Sequence, residues 1–313
     1  MLRHMLGIKI IANKFRKELM AELDNILDGS NQKTKSIIRN KMTERPYQPL
    51  TGAYVPIFLS ILGENIDYKK SHFVVSTFNL GVALFDDASE GFPNEEKESH
   101  FYWLREVMLG NDTPQKIGSG YFEEVKEASK WLFDYSNKTY GSIDDDEYRK
   151  SINQLVDAWF CDDMKTIDSL EIRANLGKVY GEVNFNHLNK MIDRDLTEYK
   201  SIYLQLYAGG TILDDLADVI DDVNVKITKP VKKLNGKKPN IRNIISSGLI
   251  QEIFEDSDVE FHKAYGSCPN ANVKNRYQAT VYAVRIFYLI NLFKSYCRNR
   301  AFVPGPLKQN PYK

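Results

Sequence analysis

Cysteine is scarce in this chain. Cys161, Cys268 and Cys297 are the only three in 313 residues, and no two stand in a CxxC pair. A disulfide framework and a structural zinc site are therefore not expected, and a reducing, cytoplasmic setting is. Net charge is also missing, because Lys+Arg and Asp+Glu both number 42. No global field draws the chain to nucleic acid or to an anionic membrane, so any charge-based function must come from local clustering. Long apolar runs are absent too. The stretches Phe73–Phe85 and Ala279–Phe293 are the longest, the second is interrupted by Arg285, and both fall short of the roughly 20 residues a spanning helix needs. No transmembrane segment is expected. The first twenty residues carry Arg3, Lys9, Lys14, Arg16 and Lys17 ahead of the first acid, Glu18. Their apolar core is too short for a secretory signal. They read as the first helix of a bundle, with a surface-binding amphipathic helix as the alternative.

What is present is helical periodicity. Apolar residues recur at three- and four-residue spacing through most of the chain, with no sustained alternation of the strand type. Hydrophobic residues make up 42%, enough for a large core, and no internal repeat or linker demands a second domain. The expected fold class is all-α: a single-domain helical bundle over residues 1–302, then a Pro-containing tail at 303–313. Pro46 and Pro49 precede a helix starting near Ala53. A helix from near Ser71 ends at Gly91-Phe92-Pro93, and Gly110–Gly120 reads as a loop. Helices are expected over about Ile143–Lys165, Leu170–Ile192, Leu196–Val223, Ile241–His262 and Val273–Phe302. A basic, Pro- and Gly-containing segment, Lys226–Asn240, separates the third of these from the fourth.

Two acidic segments interrupt apolar helices. The first, Asp86-Asp87-Ala88-Ser89-Glu90, ends the helix carrying Phe73, Val74, Phe78, Leu80, Leu84 and Phe85. Asp86 and Glu90 are four apart and share a face. The second is Asp214-Asp215-Leu216-Ala217-Asp218, continuing to Asp221 and Asp222, with Ile212, Leu213, Leu216, Val219 and Ile220 around it. Asp214, Asp218 and Asp222 form one stripe. Two carboxylates about 4 Å apart repel by roughly 4 kcal/mol at an effective dielectric near 20, and like charges at i, i+4 weaken a helix. A neighbouring cation relieves that cost. A hard dication with oxygen ligands is one such cation, and magnesium in particular bridges a few carboxylates to substrate phosphates. Other acidic runs, Asp144–Glu147 and Asp162-Asp163, read as solvated faces. The lysines that follow the second cluster, Lys226, Lys229, Lys232, Lys233, Lys237 and Lys238, are suited to a leaving diphosphate or simply to solvent.

With both clusters placed, the chain resembles the class I isoprenoid synthase superfamily, and within it the trans-prenyl diphosphate synthases. Those proteins carry one DDxxD motif near the end of a helix and a second on a later helix, more than a hundred residues on. Here the likeness runs over about residues 50 to 240. It rests on Pro56–Gly63 (PIFLSILG), on Phe73–Glu90, on Thr211–Val219 (TILDDLADV), and on Lys229-Pro230 and Asn235-Gly236-Lys237 after it. The resemblance implies a central active-site cavity and magnesium as cofactor, three ions per site with substrate bound. It assigns metal binding to Asp86, Asp87, Glu90, Asp214, Asp215 and Asp218. Asp86, Asp87, Asp214 and Asp215 would serve catalysis. Lys229, Lys237 and Lys178 would hold the diphosphate, and Phe78, Gly81, Val82, Phe85 and Thr211 would line the pocket. At Gly81 the residues allow a second reading, in which the missing side chain only permits close helix packing.

The departures point the same way. Gly52 and Val55 stand where the family has a lysine and an arginine, and Gly91–Glu96 offers no arginine after the first motif. In the family those basic residues hold isopentenyl diphosphate. Glu90 replaces the last aspartate of the first motif and Thr211 the usual glutamine of the second. The likeness therefore implies a terpene-synthase-like enzyme. It would ionise an allylic isoprenoid diphosphate, release pyrophosphate, and let the cation cyclise or be quenched in a dry pocket. Chain elongation, a non-catalytic partner subunit and a helical scaffold whose acids bind only surface ions are the alternatives. A homodimer is the assembly to consider.

Overall fold

The structure, a computed structural model, describes residues 14, 17–44, 54–63, 69–89, 92–111, 121–140, 145–164, 169–192, 194–222, 228–234, 236 and 239–301. Every regular element among them is a helix, so the all-α expectation holds. No helix among them is long and apolar enough to cross a membrane. The chain groups into two compact units, Met1–Phe160 with Glu182–Glu198, and Cys161–Gly181 with Tyr199–Lys313.

The first unit contains α1 (residues 17–26), α2 (Gln32–Glu44), α3 (Tyr54–Leu62), α4 (Lys69–Ser89), α5 (Asn94–Met108), α6 (Tyr121–Tyr140), nearly all of α7 (Asp146–Asp163) and the second half of α8 (Leu170–Met191). Helix α6 illustrates why these segments coil. Val125, Ala128, Ser129, Leu132, Phe133 and Ser136 recur every three or four residues and are all buried, which gives one apolar face. Glu123 and Glu124 lie in the first turn and Lys138 in the last, each at the end of the helix dipole that favours its charge. That face packs along α4. Gly81 on α4 makes the approach close: a Cβ there would lie 2.9 Å from Cε1 of the buried Phe133 ring.

Several polar atoms of this core are answered by neutral partners, while the buried Asn79 amide makes no hydrogen bond among the described residues. Thr77 and Ser136 share a hydroxyl–hydroxyl bond of 2.9 Å. Asn137 donates to the Met108 carbonyl at 3.0 Å and accepts from the Tyr148 hydroxyl at 2.9 Å. The Trp131 indole donates to the Ile26 carbonyl.

The second unit contains the first half of α8, then α9 (Lys200–Asp222), α10 (Lys229–Leu234), α11 (Ile241–Ser246), α12 (Leu249–Lys263) and α13 (Ala271–Ala301). Helix α9 is its centre, with most of its side chains between Ile202 and Ile220 buried, and it is flanked by α12 and α13. Gly209 admits the ring of Phe261 from α12, whose Cε1 would lie 2.3 Å from an added Cβ. On α8, Gly177 and Gly181 do the same for Ala208 and Tyr207 of α9. Asn240 caps α11 by accepting from the Asn243 N–H at 2.9 Å, worth about 1 kcal/mol. Asn270 caps α13 in the same way through Val273.

Two expectations need correction. The single helix expected over about Ile241–His262 is two, α11 and α12, broken at Gly248, whose φ of +70 lies in the left-handed region. The basic segment Lys226–Asn240 is not simply a loop but contains α10. The expected Pro-containing tail, 303–313, and all but the first two residues of the expected loop Gly110–Gly120 lie outside the described residues.

Candidate active site

In the first unit, the last turns of α4 have one buried face and one half-exposed face. Phe78 is fully buried between Phe133 and His187, with ring centroids 5.4 and 5.1 Å away. Phe85 is fully buried among Phe92, Phe101, Trp103 and Trp159. Gly81 lies against Phe133, which favours the close-packing reading of that glycine. Val82 and Asp86, one turn apart, share the half-exposed face, and the Asp86 carbonyl accepts from the Ser89 hydroxyl at 2.9 Å. Asp87 lies on α4, but its side chain is outside the described residues, as is Glu90.

The second cluster sits on α9, which exposes Asp214, half-exposes Asp218 and buries Asp215. Asp215 is answered by Arg173 of α8, whose Nη2 lies 2.7 Å from its Oδ1. The same guanidinium donates to Asp162 of α7 at 2.9 Å and to the Thr211 carbonyl at 3.3 Å. Burial disfavours the charged Arg173, but Asp215, Asp162 and Asp214 outweigh it and hold the pKa above its ordinary value. The cation that relieves the crowded carboxylates is thus, for Asp215, an arginine of the chain itself. Thr211 turns its hydroxyl back to the Tyr207 carbonyl at 2.9 Å.

The candidate phosphate-binding lysines are met by acids of α12. Lys178 lies 3.0 Å from Glu260, which also binds Lys263 at 2.5 Å. Lys229 is 3.1 Å from Glu252 and is bonded to Asp256. Burial works against the Lys229 charge, and its bonds to Asp256 and Glu252 prevail to raise its pKa. Lys237 lies outside the described residues. No group of three or more His, Cys, Asp or Glu side chains is arranged to hold a metal among the described residues.

The donor chemistry nevertheless fits a hard dication. Asp214 and Asp218, one turn apart on the accessible side of α9, present carboxylate oxygens. A magnesium ion that keeps waters and takes phosphate oxygens needs only one or two such ligands. Asp215 would have to exchange Arg173 for the metal or bridge both.

Arg173 and Asp162 escaped the sequence reading, which left Asp162 as part of a solvated pair. A usable signal existed. Arg173, Gly177 and Gly181 repeat at i, i+4, i+8, so the arginine shares the small-residue face on which another helix lies close. No protein-family model, curated protein or solved structure matches the chain.

Proposed function

We propose that the chain is a magnesium-dependent, class I terpene-synthase-like enzyme. It would ionise an allylic isoprenoid diphosphate, release pyrophosphate, and leave a carbocation to cyclise or be quenched. The observation that carries this reading is the pair of aspartate-rich segments set in apolar helices, in the order and spacing of the resembled family. The exposure of Asp214 beside the half-exposed Asp218 supports it. These two and Asp215 are the candidate metal ligands of the second unit, and Asp86, Asp87 and Glu90 those of the first. When bound, the ions would neutralise the diphosphate and improve it as a leaving group. Arg173 would position Asp215, and the apolar residues around both clusters would keep water from the cation. Cytoplasmic residence and a homodimer belong to the same proposal.

Chain elongation is the weaker variant. Val55 is buried and carries no charge to meet a second diphosphate, a group normally held by Arg forks or Lys point charges. A second reading, a non-catalytic helical scaffold or partner subunit, is favoured by a specific observation. Arg173 takes Asp215, and the acids of α12 take Lys178 and Lys229, so these charges already serve the fold.

One experiment separates the readings. The protein is incubated with allylic diphosphates of several chain lengths and magnesium, with and without isopentenyl diphosphate, and pyrophosphate and hydrocarbon products are followed. The expected result is magnesium-dependent pyrophosphate release from the allylic substrate alone, abolished in a folded Asp214→Asn variant. Longer prenyl diphosphates appearing only with isopentenyl diphosphate would establish elongation. Inactivity in every combination would establish the scaffold or partner subunit.

A further inference from the structure

Helix α13 is apolar on two faces. Val273, Tyr277, Val281, Val284 and Leu292 are buried in the second unit, where the helix packs on α9. On the opposite side, Tyr282 (52% exposed), Ile286 (38%), Ile290 (48%) and Phe293 (49%) fall on one line at spacings of four, four and three, with Phe287 (37%) beside them. A helix apolar all round is ordinarily covered all round. Large side chains of this kind carry about 150–250 Å² each, so the five leave roughly 450 Å² of exposed apolar surface, comparable in area to the largest patch on a typical monomer.

The charge on this helix is one-sided. Across Ala271–Ala301 the basic residues are Lys274, Arg276, Arg285, Lys294, Arg298 and Arg300, and there is no Asp or Glu. The zero net charge of the chain conceals this local excess. Lys294 is exposed and follows Phe293 on the shoulder of the stripe. Arg285 is occupied by Asp258 of α12.

We infer that α13 lies against the surface of an anionic lipid bilayer, its stripe in the headgroup boundary and its basic shoulder toward the lipid charges. Charge selects this occupant. A second copy would bring one all-basic helix against another with no acid on either to answer it. An acidic groove of the kind that encloses a free helix cannot close round α13, because α9 holds its inner face, whereas a planar surface needs only the outer one. The helix does not span, since it is not apolar enough to cross a membrane.

The test is sedimentation with vesicles of pure phosphatidylcholine and of phosphatidylcholine mixed with phosphatidylglycerol. It uses the full chain, an Ile286→Glu/Ile290→Glu variant and a Lys294→Glu variant, with circular dichroism to confirm that each is folded. The wild type is expected to bind the anionic vesicles and to bind the neutral ones far more weakly. The double variant should bind at least about tenfold less, and Lys294→Glu should weaken binding by a smaller factor. Absence of vesicle binding would overturn the proposal in favour of an acidic protein partner. Unchanged binding by the double variant would overturn it in favour of another surface, the basic residues 1–20 first. A wild-type dimer that the double variant converts to monomer in analytical ultracentrifugation would overturn it in favour of a second copy.

Discussion

Around Phe85 the first unit packs Phe92, Phe101, Trp103 and Trp159, ring edge to ring face in three of the four contacts. Around Arg173 the second unit packs Asp162 and Asp215, and along α12 it pairs Glu260, Asp256, Glu252 and Asp258 with Lys178, Lys263, Lys229, Lys233 and Arg285. The first unit keeps its buried ionisable side chains mostly neutral. Burial pushes His187 down to about 3. Burial, aided by Lys126, pushes His100 to about 4, although an exposed Glu96 carboxylate lies 3.7 Å from its Nε2. Two lysines are exceptions: Lys41 is buried, and Lys126 is buried over the Trp103 ring at 4.6 Å with Glu123 beside it. The second unit uses ions that answer one another. An aromatic core loses a packing contact at a time, whereas an ion-pair core fails when one partner is removed and a charge is left buried.

The sharpest way to break this comparison is Arg173→Leu. It removes the guanidinium that Asp215 and Asp162 share and is expected to cost about 3–5 kcal/mol in urea unfolding. Replacing all three residues with leucine should recover most of that loss, because an ion network of this kind is often matched by apolar packing of the same volume. A single-variant cost below about 1 kcal/mol would mean that the network is solvated rather than buried.

Acid should separate the units next. His100 and His187 stay neutral in the fold but take up protons in the unfolded chain from about pH 6.5 downward. The stability they contribute is complete above that pH and is lost as pH falls toward 4 for His100 and toward 3 for His187. The loss is at most about 1.4 kcal/mol per histidine per pH unit. In the second unit the salt-bridged Glu252 and Glu260 have lowered pKa values. The Lys233 and Lys229 bonds lower the first; burial opposes the shift in the second, and Lys263 and Lys178 prevail. Their contribution is present above the ordinary value of 4.5 and is lost only below it. Amide hydrogen exchange, corrected for its intrinsic rate, should therefore show the first unit opening more readily between pH 6.5 and 4.5 while the second holds. His187→Phe should flatten the first unit's response. Earlier opening of the second unit would reverse the comparison.

The smallest effect belongs to the surface of the first unit. Lys130 and Asp134 pair at 2.8 Å across one turn of α6, the first half-exposed and the second exposed. Lys130→Ala should change stability by no more than about 0.5 kcal/mol in the same urea titration. A larger loss would place part of that unit's stability in charge after all.

Much of this was open to a reader of the residues. The ends of α4, α7, α8 and α9 follow from apolar periodicity and from the Gly91-Phe92-Pro93 stop, because helix formation answers to local spacing and local backbone freedom. The break at Gly248 was missed because an isolated glycine inside a periodic run is compatible with continuation. Only its left-handed φ, needed to turn α11 into α12, ends the helix. Of the candidate site, the acidic stripe of α9 was legible as a costly feature demanding a cation. Which cation reaches Asp215 was not, since Arg173 stands some forty residues away and meets it only where α8 crosses α9.

The sequence by itself determined the helical class, the apolar faces and the positions at which carboxylates interrupt them, because each of these depends on residues within a turn or two of one another. The tertiary structure decided how the charges are used. It buried Asp215 against Arg173, gave Lys178 and Lys229 to the acids of α12, filled the space beside Gly81 with Phe133, and left the stripe from Tyr282 to Phe293 outside. Those outcomes depend on distances between helices remote in the chain, and Coulomb and packing energies are set by those distances rather than by spacing along the backbone.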